Sequence, residues 1–153
     1  MRIAIASDHA GFRLKEALKL LIRELGHEVR DFGTNSEGPV DYPDFITPAA
    51  EALAAGDVDR AIVIGGSGNG EAMVANTVPG VRCALCHDTT TARLGRAHND
   101  ANAVSLGQRI TGLEVAKDIV RVFLETAFEG GRHQRRVDKM MDLERRRRNK
   151  GMG

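Results

Sequence analysis

Short apolar segments alternate with stretches of helical periodicity along most of the 153-residue chain. Five segments have the apolar or alternating character of strands: 3–6, 27–32, 61–64, 82–86 and 103–106. Apolar residues at intervals of three and four predict helices over 14–25, after 44 to about 55, from 71 onward, and over 89–97 and 116–124. Such alternation is typical of parallel strands with helices on both faces. The predicted fold is a three-layer, Rossmann-like (flavodoxin-like) α/β fold: a doubly wound, parallel five-stranded sheet with a C-terminal helical arm.

The length indicates one domain, because chains of this size bury roughly 70% of their unfolded surface. We expect this domain over 1–144, with a C-terminal helix from about 131 and a disordered basic tail over 145–153. The 22 Lys and Arg nearly balance the 21 Asp and Glu, so the whole molecule is not built to bind polyanions. Basic residues do crowd the C-terminal end. They indicate nucleic acid binding, a solvated tail or a local phosphate site.

Other features of composition exclude further classes of protein. Trp is absent and aromatic residues make up 4% of the chain, which argues against a base-stacking platform. Cys83 and Cys86 have the spacing of a redox or zinc half-site, but there is no second pair, and a strand would point them to opposite faces. We interpret them as buried core residues. The first apolar stretch is too short for a signal peptide and no segment is long enough to span a membrane, so we expect a soluble, cytoplasmic protein.

A glycine-rich loop over 65–71 follows the apolar strand 61–64. Glycines leave backbone amides accessible, the following helix adds unpaired N–H groups, and Glu71 lies where loop and helix meet. The loop therefore suits an anion bound beside a base. It is not a P-loop, because Glu71 and Ala72 stand where a Lys and a Ser or Thr are required. It is also too far from the N-terminus for the dinucleotide fingerprint. A turn that only packs a helix close to the sheet is an equally supported alternative.

Polar residues gather where the predicted strands end, and in open α/β sheets ligands bind beyond the carboxyl ends of the strands. These ends carry Asp8 with His9, the glycine loop with Glu71, His87 with Asp88, and residues 107–109. His98 and Asn99 instead precede the fifth strand and lie at its opposite end. They do not easily reach the pocket of their own chain, and a partner chain could supply them.

Two arginines near the C-terminus, Arg132 and Arg136, are four residues apart and would share one face of a helix. That spacing lets two guanidinium groups converge on one phosphate. A solvated basic helix is the ordinary interpretation, and we apply it to 145–148. The first pair differs because Val137, Met140 and Met141 give its helix an apolar face. A terminal helix packed on a second subunit would bury that face.

Several separated motifs, in order, resemble the ribose-5-phosphate isomerase B family. They are Ile5-Ala6-Ser7-Asp8-His9-Ala10-Gly11, Asp41-Tyr42-Pro43-Asp44, the glycine loop, Ala75-Asn76, Val78-Pro79-Gly80, Arg82-Cys83-Ala84 and His98-Asn99. The resemblance covers about the first 140 residues. The wider family also contains isomerases of galactose 6-phosphate, allose 6-phosphate and four-carbon ketose phosphates.

One departure from the family pattern changes the expected base. Many members have a cysteine, their base, at the position of Gly65 and a threonine at that of Ser67. This chain resembles the subgroup in which a glutamate at the position of Glu71 takes the proton. Burial would raise the pKa of that carboxyl and the adjacent helix N-terminus would lower it, and the sequence leaves the balance open.

The resemblance implies specific roles for the site residues. His98 would open the sugar ring with the help of Asp8, Asn99 would steady the enediolate, and amides of the glycine loop would hold its negative charge. The expected catalytic residues are Glu71, His98, Asp8 and Ser67. The expected substrate-binding residues are His9, Tyr42, Gly66, Gly68, Asn69, Gly70, Asn99, Arg109, Arg132, His133 and Arg136.

These roles imply an isomerase of D-ribose 5-phosphate and D-ribulose 5-phosphate that needs no cofactor and no metal ion. Its expected partners are a sugar phosphate and a second copy of the chain, in a homodimer with sites shared between subunits; a dimer of dimers stays open. No nucleic acid or membrane partner is expected. Isomerases of other sugar phosphates remain alternatives. A regulatory module that binds a nucleotide or phosphate is a further one, although Glu71 would repel the anion that such a module holds.

Overall fold

Strands and helices alternate from the start of the chain in the computed structural model, which describes residues 1–151. In chain order the elements are β1 (Arg2–Ser7), α1 (Phe12–Glu24), β2 (Glu28–Asp31), α2 (Tyr42–Ala54), β3 (Arg60–Gly65), α3 (Asn69–Thr77), β4 (Cys83–Leu85), α4 (Thr89–Asn99), β5 (Ala103–Gly107), α5 (Leu113–Glu125) and α6 (Arg132–Lys150). The strands are all parallel and form one sheet in the order β2-β1-β3-β5-β4. The predicted doubly wound five-stranded sheet is confirmed.

The hydrophobic core lies in two layers, one on each face of the sheet. Because side chains alternate along a strand, Ile3 and Ile5 of β1 face the layer that contains α1 and α5. Ala4 and Ala6 face the other layer, against α2 and α3. The larger side chains thus fill the first layer, whereas small residues on the second face let the alanine-rich helix α2 lie close to the sheet.

The segment of Tyr42 and Pro43 was expected in a loop, and the structure corrects this expectation. Both residues belong to the first turn of α2, which follows the extended residue Asp41. Proline fits there because the first amides of a helix have no acceptor inside the helix and its φ is already helical. The ring of Tyr42 is thereby held on a helix and not on a flexible connection.

Two helices are longer than the sequence predicts. Helix α4 continues beyond 97, so that His98 and Asn99 form its last turn before Asp100 adopts φ 47°. Helix α6 continues through Lys150, so that residues 145–150 are helical and not disordered; residues 152–153 of the expected tail lie outside the described part. The run of Arg, Glu and Lys contains no helix breaker before Gly151. The Glu144 carboxylate also ties α6 to the sheet layer, because it accepts a hydrogen bond of 3.1 Å from the Gly80 amide.

The described residues 1–151 contain no helix that is both long enough and apolar enough to cross a membrane. Helix α6, the 19-residue C-terminal helix, is strongly charged, and the other helices are shorter.

Phe123→Ala should lower the free energy of unfolding by about 3–5 kcal/mol, because this ring is 1% exposed in the larger core layer. Urea unfolding at one fixed protein concentration measures the loss, and fixing the concentration removes any effect of association. Leu20→Ala is the control, since Leu20 is 61% exposed and its removal should change stability by at most about 0.5 kcal/mol. Equal effects of the two substitutions would contradict this description of the core.

Candidate active site

The glycine loop between β3 and α3 is held by the neighbouring β5–α5 segment. The carbonyl of Gly65 accepts a hydrogen bond from the amide of Gln108 (2.8 Å), and that of Gly66 accepts one from Arg109 (2.9 Å). The buried hydroxyl of Ser105 donates to the carbonyl of Gly68 at 2.7 Å. In a trans peptide the N–H group points opposite to the C=O group. The amides that follow Gly65 and Gly66 are therefore directed away from β5.

The start of α3 adds to this polar loop. Gly68 precedes the helix with φ 84°, a left-handed conformation that favours glycine. The Asn69 amide is bonded to the Ser67 hydroxyl at 3.2 Å. The first turn of the helix then places its positive dipole end beside the loop. Loop amides and helix terminus together form a surface suited to an anion.

Glu71 lies in this first turn and is 4% exposed. Its carboxylate fills the space beside Gly65: a Cβ atom at residue 65 would lie 1.9 Å from Glu71 Oε1. The absence of a side chain at residue 65 is thus what admits the carboxylate. Burial raises the pKa of Glu71, and the negative charge of Asp8 adds to the rise, whereas a hydrogen bond from its own amide opposes it. In the balance that the sequence left open, burial therefore outweighs the opposing hydrogen bond and the pKa of Glu71 is raised.

Three more of the predicted residues surround the loop at the carboxyl end of the sheet. Asp8 is 8% exposed and accepts a hydrogen bond of 3.0 Å from the Gly11 amide. The ring of Tyr42 lies against Gly70, where a Cβ atom would be 2.6 Å from Tyr42 Cζ. The Arg109 guanidinium lies over Gly66 in the same way, with Nη1 at 3.3 Å. The site therefore has an aromatic wall, a cation and two carboxyl groups around the amides.

His9 lies at the rim of a neighbouring cavity of about 520 Å³, together with Val40, Asp41 and Phe45. Its Nδ1 accepts a hydrogen bond of 3.1 Å from the Val40 amide. This bond fixes the ring orientation and assigns the proton of the neutral imidazole to Nε2. His9 can therefore donate a hydrogen bond to a ligand oxygen.

The remaining predicted residues form a second group on α4 and α6. The rings of His98 and His133 stack with centroids 4.1 Å apart, and the Glu129 carboxylate lies next to both. Burial lowers the pKa of His133, and the positive charges of His98 and Arg132 lower it further. Asn99, Arg132 and Arg136 are exposed around this pair.

The two groups lie at opposite ends of β5. Helix α4, with His98, leads into the amino end of this strand at Ala103, whereas the carboxyl end at Gly107 pairs with Gly65 of the glycine loop. At about 3.3 Å per residue the two ends of the strand are roughly 13 Å apart. One chain therefore does not bring His98 to Glu71.

A second cavity is distinct from the glycine loop. It is a groove of about 610 Å³ between α6 and the amino ends of β4 and β5, lined by Val81, Ala101, Met140 and Met141 among others. Asn99 is the one predicted site residue on it. Val137 was expected to face a second subunit but is buried against its own chain, with 5% exposure, whereas Met140 remains 43% exposed. The apolar face of α6 is thus partly covered within the chain.

The sequence analysis missed two polar residues at these sites, Ser105 and Glu129, and it noted Gln108 only as part of the strand end 107–109. Ser105 had a signal, since it is the one polar residue inside the apolar strand β5. The Gln108 side chain accepts a hydrogen bond of 2.9 Å from the Leu14 amide near the start of α1, a contact over 94 positions that spacing does not show. Glu129 lies in a connection without periodicity.

Cys86 is buried in the core, as predicted, whereas Cys83 is only partly buried. Cys86 belongs to the layer with α1 and α5, and Cys83 packs on the opposite layer. Both are free thiols. Burial raises the pKa of Cys83 to about 12 and also raises that of Cys86.

Comparisons with known proteins identify the family that this chain resembles. The Ribose/Galactose Isomerase family matches residues 3–140. The chain is 43% identical to ribose-5-phosphate isomerase B of Escherichia coli over 95% of this chain and 98% of that protein. It superposes on the ribose-5-phosphate isomerase B structure of Clostridium thermocellum with a TM-score of 0.94 and 47% identity, covering 95% and 99% of the two chains. The Mycoplasma genitalium enzyme, solved with bound ribulose-5-phosphate, gives a TM-score of 0.90 at 40% identity, with 94% and 96% covered.

The resemblance inferred from the motifs is thereby confirmed in its main part. The fold and the site define a sugar phosphate isomerase. The chain belongs to the Ribose/Galactose Isomerase family.

A thiol reagent should leave both cysteines of the folded protein unmodified near neutral pH, because the reactive thiolate is suppressed by the raised pKa and by burial. The release of chromophore from a disulfide reagent, followed with and without denaturant, measures this. Both thiols should react once the chain is unfolded, which is the control. Rapid labelling of the folded protein would mean that β4 opens in the native state.

Proposed function

We propose that the protein interconverts D-ribose 5-phosphate and D-ribulose 5-phosphate through an open-chain sugar and an enediolate, without a cofactor. The observation that carries the proposal is the buried Glu71 carboxylate, which lies against Gly65 beside the amides of the glycine loop. Moving a proton between two adjacent carbons requires a base of raised pKa, and the enediolate requires donors for its negative charge. Both stand next to each other here.

Glu71 takes the proton from C2 of the aldose and returns it to C1. The pKa of Glu71 is raised from 4.5, chiefly by burial. The carboxylate is therefore a stronger base than an exposed glutamate, which makes removal of a proton from carbon less unfavourable. The cysteines do not compete for this role, because Cys86 is buried in one core layer, Cys83 packs against the other, and the pKa values of both thiols are raised. Gly65 and Ser67 agree with the glutamate-base subgroup that the motifs resemble.

The enediolate oxygens are bound by amides of the glycine loop other than that of Asn69, which donates to the Ser67 hydroxyl. The amides of Gly66 and Ser67 point away from β5. A single well-aimed donor in such a site lowers the activation barrier by roughly 3 kcal/mol. The hydrogen bond from Ser105 to the Gly68 carbonyl supports this role, since it holds the loop in one conformation before substrate arrives. Arg109 and Tyr42 close the sides of the pocket.

His98 of the second group opens the sugar ring with the help of Asp8, and Asn99 steadies the enediolate. The phosphate is bound by basic residues, which are His9, Arg132, His133 and Arg136. Because one chain holds these groups at opposite ends of β5, we propose a homodimer in which Glu71 of one subunit meets His98 of its partner. The exposure of Arg132 and Arg136 supports this arrangement, since both side chains are open to solvent in the single chain. Whether dimers pair further does not affect the site.

The substrate and the compartment complete the proposal. Ribose 5-phosphate is favoured over allose 6-phosphate, galactose 6-phosphate and erythrulose 4-phosphate because relatives of 43% and 42% identity over nearly the whole chain are named for it. A Bacillus subtilis relative of 46% identity is named only as a provisional sugar phosphate isomerase. The two free cysteines agree with a reducing, cytoplasmic environment.

Glu71→Gln should lower kcat by about 10²–10⁴-fold with little change in KM, because the amide keeps the shape of the side chain but is no base. In the wild type, kcat/KM should fall as pH drops through the raised pKa of Glu71, since catalysis needs the carboxylate. The steady-state rate as a function of pH measures both effects. Glu51→Gln, the same change at an exposed position, is the control and should behave as wild type.

The same substitution has a second, independent readout. A raised pKa means that the folded state disfavours the ionised carboxyl. The wild type therefore has its full free energy of unfolding at low pH, where Glu71 is protonated, and loses part of it as pH rises through the folded-state pKa of Glu71. Glu71→Gln should therefore be more stable than wild type at about pH 8 and equally stable at about pH 4. A kcat unaffected by Glu71→Gln would remove Glu71 as the base.

A turnover panel tests the substrate. Ribose 5-phosphate, allose 6-phosphate, galactose 6-phosphate and erythrulose 4-phosphate are compared by kcat/KM, and we expect ribose 5-phosphate to rank first. A higher rank for another sugar would keep the isomerase mechanism and overturn the assigned substrate. Turnover of none of them would overturn both.

Mixing two inactive variants tests the shared site. Glu71→Gln and His98→Asn subunits should complement each other under exchange, since a heterodimer contains one intact and one doubly altered pocket. Random pairing makes half of the dimers heterodimers, so activity should return to about a quarter of wild type. Differently tagged subunits, purified together, control for exchange. Exchange without recovered activity would mean that each chain builds its pocket alone.

A further inference from the structure

Three potential metal ligands converge beside the stacked histidines. Glu129 Oε2 lies 3.5 Å from Nε2 of His133 and 3.8 Å from Nε2 of His98. The ligand atoms of all three residues lie within 4.8 Å of one another. Glu129 is outside the residues to which a catalytic or substrate-binding role is given above.

The backbone holds these ligands in place from three elements. His98 is in the last turn of α4, and His133 is in the first turn of α6. The Glu129 amide donates a hydrogen bond of 3.0 Å to the carbonyl of Ala97, next to His98, and the His133 amide donates one of 3.0 Å to Gly130. The connection before α6 is thus fastened to the end of α4, and the ligands are brought together by the fold.

We propose that His98, Glu129 and His133 form a binding site for a divalent transition-metal ion such as Zn²⁺. Bonds of about 2.0–2.2 Å from nitrogen and oxygen place neighbouring ligands of a tetrahedral ion about 3.4 Å apart. The distances of 3.5 and 3.8 Å to Glu129 Oε2 need little adjustment. The Glu129 side chain is 56% exposed and can supply it by rotation.

The donor set determines the class of ion. Two imidazoles and one carboxylate suit Zn²⁺, Co²⁺ or Cu²⁺, whereas Mg²⁺ and Ca²⁺ prefer oxygen ligands alone. Three protein ligands leave a fourth position open, as in zinc sites that hold an exchangeable ligand. Arg132 and Arg136 contribute positive charge at His133, which weakens the binding of a cation and favours an anion in the fourth position.

Such an ion is an inhibitor and not a cofactor. This consequence rests on the proposed function, in which His98 opens the sugar ring. A metal bound to Nε2 occupies the lone pair that would exchange a proton with the sugar, and it also fixes His133 in the phosphate region. Metal binding and sugar isomerisation therefore exclude each other at this histidine pair.

The binding test uses the full-length protein freed of metal with a chelator. Co²⁺ alone is titrated and followed by its visible absorption, and Zn²⁺ alone is titrated by calorimetry. We expect one ion per chain, with affinity reduced at least about tenfold in Glu129→Gln and in His133→Asn. Glu125→Gln, the same change at another exposed glutamate, should bind as wild type. Joint replacement of Cys83 and Cys86 by Ser should also leave binding unchanged.

Two results would overturn the proposal: no saturable binding at one ion per chain, or equal affinity in Glu129→Gln, His133→Asn and wild type. Glu129→Gln alters an exposed side chain, so its fold should be intact, and circular dichroism verifies this.

The activity arm separates this proposal from the proposed function. Zn²⁺ should inhibit the wild type in the concentration range of binding, and inhibition should disappear with chelator. Glu129→Gln should keep the basal rate and need at least about tenfold more Zn²⁺ for the same inhibition. Binding without inhibition supports the metal site and contradicts the role of His98. Loss of activity in His98→Asn, together with no metal binding by the wild type, supports the role of His98 and overturns the metal site.

Discussion

The pairing of β3 between β1 and β5 is the constraint on which the site depends. The chain leaves β1 toward one edge of the sheet and returns at β3 to build the other edge. The carboxyl ends of β1 and β3 are therefore neighbours at the point where the strand order reverses, which is where doubly wound sheets open a crevice. Asp8 ends one strand and the glycine loop ends the other, so hydrogen bonding within the sheet brings their charges together.

The neighbouring strand β5 and the segment after it fix the glycine loop by hydrogen bonds. Its serine and the segment that follows it bind three carbonyls of the glycine loop. A flexible loop would have to be ordered by each substrate molecule, at a cost in conformational entropy. Here the sheet has already ordered it during folding. The helix that carries His98 leads into the amino end of the same strand, and one short strand thus separates the two groups of residues that the proposed mechanism combines.

Much of this could be predicted from the sequence, since it depends on local pattern. The five strands, the long helix α5 and the position of Glu71 follow from periodicity, glycine content and chain order. The first turn of α2 was missed because proline reads as a loop residue unless its place within the helix is known. The end of α6 was missed because a run of charge is compatible with both helix and disorder. The direction of the shift in the pKa of Glu71 depends on burial by residues far along the chain. Glu129 comes next to the two histidines only because its segment folds against the end of α4. These are tertiary effects, which spacing alone does not contain.

The contact between Gly65 and Glu71 also limits how such a site can evolve. The carboxylate occupies the volume in which a side chain at residue 65 would begin, so the two positions are not independent. A mutation that adds a reactive side chain at residue 65 displaces the Glu71 carboxylate, the base of the proposed mechanism, before the new group is positioned. The first of the two steps is then harmful whichever position changes first. Lineages with a base on one position or the other are thus expected to remain separate, with few intermediates between them.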